Sequence, residues 1–351
     1  MLLAAIRDLQ WRRGRFAITV LGTALVFAMS LLMSGLSHSF TVEIDNTLDD
    51  QRATTWIAPA SSNGAFSPGT FLTGPEVAAI TAAAAPVEVA PLVFGTSTTR
   101  EASGRVRNVN VMGVVPGGLG APLEARDGSV DLAEGTVVVP PALGYDVGDV
   151  IRVGVADLEV IGVLERASLF AGTPTVTMSV EQAQRLLAGG NPVVSMVLAD
   201  SADPTLPEGF RAFTRAEVEA TIMRPLESPT QSIDFVKVLL WLVAALIVAS
   251  VVYLTVLERT RDIAVFKATG ASTAGVAAGI CLQAVVLAVV ASICAVAIGW
   301  LIAPLFPMDV VIPPTALRDL PILAVGVGLL SGLVGVRRSV RVDPAAAFGG
   351  P

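Results

Sequence analysis

Histidine occurs once (His38), cysteine twice (Cys281 and Cys294) and lysine twice (Lys237 and Lys267) in 351 residues. So small a set cannot build a Cys/His zinc cluster. Neither lysine follows a glycine, so the GxxxxGK[ST] loop that cradles nucleotide phosphates is missing. No GxSxG elbow and no Dx[DN]x[DN]G calcium loop occurs, and no histidine in the 38–236 segment's interior is free to activate a serine. The cysteines share one uncharged run, fall on different faces of a helix, and read as small apolar side chains. Charge is also scarce, at 15% of residues against about 25% in ordinary soluble domains. A net charge of −7 disfavours nucleic acid, whose phosphates need a basic surface.

Apolar residues are what the chain has in excess: 53% of the sequence, with a mean hydropathy of +0.70. They are concentrated in four runs. No charge separates Arg15 from Glu43, and residues 17–36 supply the ~20 apolar residues that a bilayer crossing needs. Residues 238–257 form a second uncharged run, 276–303 a third, and 320–336 a short glycine-rich fourth. The first run has a basic front but is too long for the core of a cleaved signal peptide, so an uncleaved anchor is expected. The expected architecture is a membrane protein with four transmembrane α-helices and a large α+β extracytoplasmic domain inserted between helices 1 and 2. Its divisions are an amphipathic N-terminus (1–15), TM1 (16–37), the domain (38–236), TM2 (237–257), an elbow (258–272), TM3 (273–304), an outer loop (305–318), TM4 (319–336) and a tail (337–351).

Arginine sets the expected orientation. The N-terminus, elbow and tail carry ten basic residues against four acidic ones, which places them, and both termini, on the cytoplasmic side of a bacterial inner membrane. Residues 38–236 carry 11 basic and 24 acidic residues, a net −13, while the remainder is net +6. All of the acidity therefore belongs to the insert.

That insert reads largely as β-structure. Alternating patterns predict strands over 106–115, 136–139, 149–155, 158–164 and 193–198, and a helix over 180–187. Residues 61–69 and 200–209 are loop-like. Asp146 and Asp149 read as a solvated turn rather than a metal site. Trp56 reads as a packed core aromatic before a surface anchor. No catalytic constellation emerges.

Between the second and third runs lies LERTRDIAVFKATGAS (257–272). Ile263, Phe266 and Gly270 fall on one side of a short helix that suits an apolar groove, ringed by Glu258, Arg259, Arg261, Asp262 and Lys267 for pairing across an interface. The alternative is a plain juxtamembrane loop with basic anchors. Gly270 suits a helix end. In the fourth run Gly328 and Gly332 form a small-xxx-small pair, read as packing within the chain before a dimer seam. Leu2, Ile6 and Leu9 line one face of the N-terminus, either as an interfacial helix on membrane lipid or as part of a plain basic anchor. Asp234 and Lys237 form an i, i+3 pair.

The elbow resembles the ER-x-R-[ED]-I-x-x-x-[RK]-A-x-G-A-S motif of the permeases that include MacB-like exporters, lipoprotein-releasing transporters and FtsX-like proteins, the mechanotransmitting type VII ABC transporters. The match covers Glu258, Arg259, Arg261, Asp262, Ile263, Lys267, Ala268 and Gly270–Ser272; Phe266 and Thr269 depart from the common residues. Residues 135–163 resemble that family's external pattern at Leu143-Gly144, Gly148-Asp149 and Val160–Val163. The tail resembles its basic ending, with Arg337, Arg338, Arg341 and Asp343 before Pro344. The resemblance implies a non-catalytic permease, in a homodimer or heterodimer, on an ABC ATPase dimer. The elbow would be the coupling helix and the tail a second contact. It implies no cofactor in this chain, since ATP and Mg²⁺ would bind the partner ATPase. The implied work is on a lipid, lipoprotein or drug, with a periplasmic adaptor, or else on a cell-wall hydrolase that the permease regulates. A membrane scaffold without an ATPase would leave the motif unexplained.

Overall fold

The computed structural model describes residues 13–67, 69–270, 272–306 and 310–340. In chain order the helices are α1 (Arg13–Gln51), α2 (Gly74–Ala84), α3 (Val180–Ala188), α4 (Arg215–Glu258), α5 (Thr260–Ala268), α6 (Thr273–Ile302) and α7 (Pro314–Val340). The strands are β1 (Thr55–Pro59), β2 (Leu72–Thr73), β3 (Val89–Arg100), β4 (Val106–Val114), β5 (Asp127–Gly128), β6 (Thr136–Val139), β7 (Val150–Val153), β8 (Ala156–Val163), β9 (Ser168–Leu169), β10 (Thr173–Ser179), β11 (Val193–Val194), β12 (Met196–Ala199) and β13 (Phe210–Thr214). The chain forms two compact units, one from Met1–Ser39 with Ser228–Pro351 and one from Phe40–Glu227.

The first unit is helical. Among the described residues, α1, α4, α6 and α7 are long and apolar enough to cross a membrane. Their packed sides are rich in alanine: Ala24 and Ala28 of α1, Ala244 of α4, Ala284, Ala288 and Ala291 of α6 and Ala324 of α7 are fully buried together. Small residues let helix backbones approach where water provides no hydrophobic drive. The outward sides are apolar as well, with Leu21 and Leu25, Leu242 and Leu246, and Leu330 and Leu333 exposed. Helices that are apolar all round suit lipid rather than water. Side-chain bonds cross the bundle as well: Trp241 Nε1 donates to Ser30 Oγ at 2.7 Å, and Ser331 Oγ donates to the Ala245 carbonyl at 2.9 Å.

Both α1 and α4 outrun the expected spans of 16–37 and 237–257. At about 1.5 Å per residue, their 39 and 44 residues far exceed what a ~30 Å hydrocarbon layer requires. Loss of apolar character marks the end of lipid, not of the helix, so charged continuations are invisible to a hydropathy reading.

The second unit is built on an 11-stranded mixed sheet whose main path runs β13-β1-β12-β3-β4-β10-β6-β8-β5. Successive side chains go to opposite faces. Thus Val137 and Val139 join one core while Val138 joins the other, and Ile57 is parted in the same way from Trp56 and Ala58. The first core is closed by Ile80 of α2 and Ala183 of α3. The second is closed by Ile44 and Leu48 of α1 and Val218 and Ile222 of α4. Gly113 explains why α3 fits: a Cβ there would stand 2.4 Å from the Ala183 Cβ. Ser179 caps α3 by accepting from the Gln182 N–H, and Gly189 ends it at φ +61°.

The expected strands over 106–115, 136–139, 149–155 and 158–164 correspond to β4, β6, β7 and β8 within a residue or two at most ends, and the helix over 180–187 to α3. The strand expected over 193–198 is divided instead. Its first part pairs with β2 and its second with β1 and β3. Ser195 sits between them: its hydroxyl accepts from the Phe94 N–H at 2.9 Å and donates to the Phe94 carbonyl at 3.0 Å. A side chain there takes over bonds that a continuous ladder would make from the backbone. Trp56 is a core residue, fully buried, with its Nε1 donating to Gln51 Oε1.

Candidate functional site

The elbow is a short helix set between two membrane-length ones. Arg259 still donates its N–H to the Thr255 carbonyl at 3.2 Å, while its own carbonyl accepts from Ile263 N–H at 2.9 Å, so the chain passes from α4 to α5 without a loop. Thr260 Oγ1 donates back to the Leu257 carbonyl at 2.8 Å. At the far end Gly270 lies at φ +95°, in a region that L side chains rarely adopt, and its N–H closes onto the Lys267 carbonyl at 3.1 Å. Ser272 then caps α6, its Oγ accepting from the Gly275 N–H at 3.1 Å. Glycine and serine thus fix where one helix ends and the next begins.

The two sides of α5 are unlike. Ile263 and Ala264 are buried in the same core as Val252 and Val256 of α4 and Val276 and Ile280 of α6. Arg261, Asp262, Val265 and Ala268 are exposed, at the spacing of a single helical stripe. This corrects the expectation that Ile263 faces outward with Phe266 and Gly270: Ile263 faces its own bundle. A stripe of apolar residues beside a membrane core does not reveal from sequence which neighbour uses it. Val265, with Ala268, is what the outward side presents in apolar surface, and the facing of neither follows from the motif. The side chain of Phe266 lies outside the described residues. Glu258 is exposed, whereas Arg259 and Lys267 are half-buried at the flanks.

Of the basic tail, Arg337 is exposed on α7 and Arg338 is helical. Arg341 and Asp343 lie outside the described residues, as do Leu2, Ile6 and Leu9. Gly328 and Gly332 face α6. A Cβ on Gly328 would stand 2.6 Å from Val285 Cα, and one on Gly332 would stand 2.9 Å from Cys281 Cα. The Lys237 Nζ lies 2.7 Å from Asp234 Oδ1.

In the sheet unit, the Asp149 carboxylate accepts the Asp146 N–H at 2.9 Å and closes a turn. Among the described residues no group of three His, Cys, Asp or Glu side chains is placed to hold a metal ion. A tighter cluster surrounds Arg215, whose guanidinium reaches Asp45 and Asp49 of α1 and Glu219 of α4. Two i, i+4 pairs, Asp45/Asp49 and Arg215/Glu219, lie far apart in sequence, so no local pattern joins them.

Residues 16–212 match the MacB-like periplasmic core domain family, and residues 235–344 match the FtsX-like permease C-terminal family. A Mycobacterium bovis protein named as an uncharacterized ABC transporter permease is 40% identical over 351 residues, all of both chains. A second such permease, from Mycobacterium tuberculosis, is 37% identical over the same full length. The macrolide export ATP-binding/permease protein MacB of an Azoarcus strain is 27% identical over 178 residues, 49% of this chain and 26% of that protein.

Proposed function

The chain belongs to the ABC transporter permeases of MacB/FtsX type, membrane proteins of the cell membrane, and from that premise we propose that it converts ATP hydrolysis on a separate ATPase into movement of its extracytoplasmic domain. The observation that carries this reading is the asymmetry of α5. Ile263 and Ala264 lock one side into the helical bundle, while Arg261, Asp262 and Val265 present the other. A helix held on one side and charged on the other can take a push and pass it to α4, with which it is continuous, and to α6, whose Val276 and Ile280 share its core.

In this reading the working unit is a permease dimer on two ATPase subunits, with Glu258, Arg259 and Lys267 flanking the contact and Arg337, Arg338, Arg341 and Asp343 adding a second one. ATP and Mg²⁺ belong to the ATPase, and this chain supplies no catalytic group. In this reading both termini and the elbow lie in the cytoplasm, which the arginine excess supports. The almost charge-free spans offer no ion pathway, which supports a lever acting on an amphiphilic cargo. The MacB relative's name, macrolide export, favours export over regulation of a hydrolase.

The test uses the full chain with its ATPase in nanodiscs. Val265→Asp and Arg261→Glu are expected to lower permease-stimulated ATP turnover about tenfold, the effect of ~1.4 kcal/mol of lost coupling, with thermal unfolding unchanged. Normal turnover in both variants overturns the proposal.

A further inference from the structure

A groove of about 310 Å³ opens on the helical unit between α6 and α7, lined by Ser292, Ile293, Val296, Ala297, Trp300 and Pro321. Its floor carries one hydroxyl, and Ser292 Oγ donates that to the Val289 carbonyl at 2.8 Å. With no hydrogen bond left to offer there, the floor suits hydrocarbon and not a polar ligand. Ile293 and Trp300 are each 64% exposed, on helices whose outer sides suit lipid. Pro321 helps to open the groove, because a proline inside a helix gives the carbonyl one turn back no N–H and pushes that turn apart.

Polar groups gather toward one end. Trp300 lies two residues from the end of α6, and an indole, apolar in body with a single N–H donor, settles where hydrocarbon meets water. Arg318 stands one helical turn before Pro321, on the same side of α7. Its Nε lies 2.9 Å from Asp319 Oδ1, and both side chains are mostly exposed. That contact leaves further guanidinium N–H groups and a second carboxylate oxygen for another partner. A cation and an anion side by side above an apolar groove match a ligand that carries both charges on one hydrocarbon chain.

We propose that the groove holds an acyl chain of a phospholipid whose headgroup bears a phosphate and a primary ammonium, the phosphate accepting from Arg318 and the ammonium donating to Asp319. Guanidinium N–H groups suit phosphate oxygens, and a carboxylate suits an ammonium with hydrogens to donate. A quaternary ammonium has no such hydrogens and a glycerol headgroup has no cation, so neither completes the pair. The site lies toward the end of α6 away from α5. It requires that α6 and α7 cross a membrane, and it stands whether or not the chain couples to an ATPase.

The test is native mass spectrometry of the detergent-solubilised full chain, titrated separately with dioleoyl phosphatidylethanolamine, phosphatidylcholine and phosphatidylglycerol. The ethanolamine lipid is expected to bind about tenfold more tightly than either of the others. Arg318→Gln with Asp319→Asn, and separately Ala297→Trp, which fills the groove, are expected to erase that preference; all three positions are exposed. A second copy of the chain is the rival occupant, read by disulfide cross-linking of Ile293→Cys in nanodiscs, in a chain carrying Cys281→Ala and Cys294→Ala. Equal affinity for the three lipids, a preference that survives either set of substitutions, or a cross-link between copies overturns the proposal.

Discussion

Arg215 Nη2 stands 3.1 Å from Asp45 Oδ1, tying the first turn of α4 to the end region of α1. The same guanidinium reaches Asp49 and Glu219, so one side chain ties α4 to α1 at two carboxylates and is braced by a third within its own helix. Because Arg215 is two-fifths exposed, water screens much of this attraction. Arg215→Ala is expected to cost on the order of 1 kcal/mol, seen as a lower melting temperature in low salt and a smaller gap in 1 M salt. Arg215→Lys recovers only part, since an ammonium cannot reproduce the guanidinium fork. An equal loss at both salt concentrations would show that packing, not charge, is what Arg215 provides.

Gly328→Ala forces a Cβ to within 2.6 Å of the Val285 backbone, which has no rotamer with which to yield. Overpacking of this kind costs about 1–3 kcal/mol. Gly326, in the same helix, has nothing within 4 Å of such a Cβ. Gly326→Ala is therefore expected to be neutral or mildly stabilising, because alanine is the better helix former. Thermal unfolding in detergent separates the two, and the idea of a close α6–α7 contact is lost if they behave alike.

Ile263→Asp and Val265→Asp should fail differently. The first buries a carboxylate among Val252, Val256 and Val276 and is expected to lower the melting temperature, since an unpaired buried charge is strongly unfavourable. The second changes an exposed side chain and leaves the melting temperature alone while reducing ATPase coupling. Proteolysis of the elbow, raised only in Ile263→Asp, is a second readout.

Glu101 is a source of pH dependence in the sheet unit. It accepts from Ser103 Oγ, Arg105 Nε and Arg107 Nη1. The Ser103 hydrogen bond, followed by those from Arg105 and Arg107, holds its carboxyl below the usual glutamate value. A lowered folded-state value means the stabilisation is present above the unfolded-state value, ~4.3, and lost as pH falls through the folded one. Glu101→Gln should therefore unfold at a lower temperature than the parent at pH 7, with the two converging as acid protonates the parent. A gap that persists at low pH would assign the effect to packing.

The parts legible in the sequence were those with a local period or a local residue requirement. The run before Glu43 announced a spanning helix, the valines of β6 announced a strand by alternation, and Gly270 announced the end of α5. What stayed hidden depended on partners distant in sequence. The extension of α1 past residue 37 rests on Ile44 and Leu48 meeting the sheet. That of α4 begins at Arg215, and Pro225 and Pro229 break its sequence signal. The division of β11 from β12 came from one hydroxyl, that of Ser195. In the elbow, sequence supplied the residue set but not its facing, because Ile263 and Val265 are equally apolar and only the position of α4 and α6 tells them apart.

The sheet carries helices against both of its sides, α2 and α3 on one and the ends of α1 and α4 on the other. Such a domain meets the outside with its outline: the edges of β5 and β13 and the hairpin tips, where Val155 stands 85% exposed. A substitution along that perimeter leaves both interiors untouched, the one filled mainly by valine and the other by leucine, alanine and aromatic side chains.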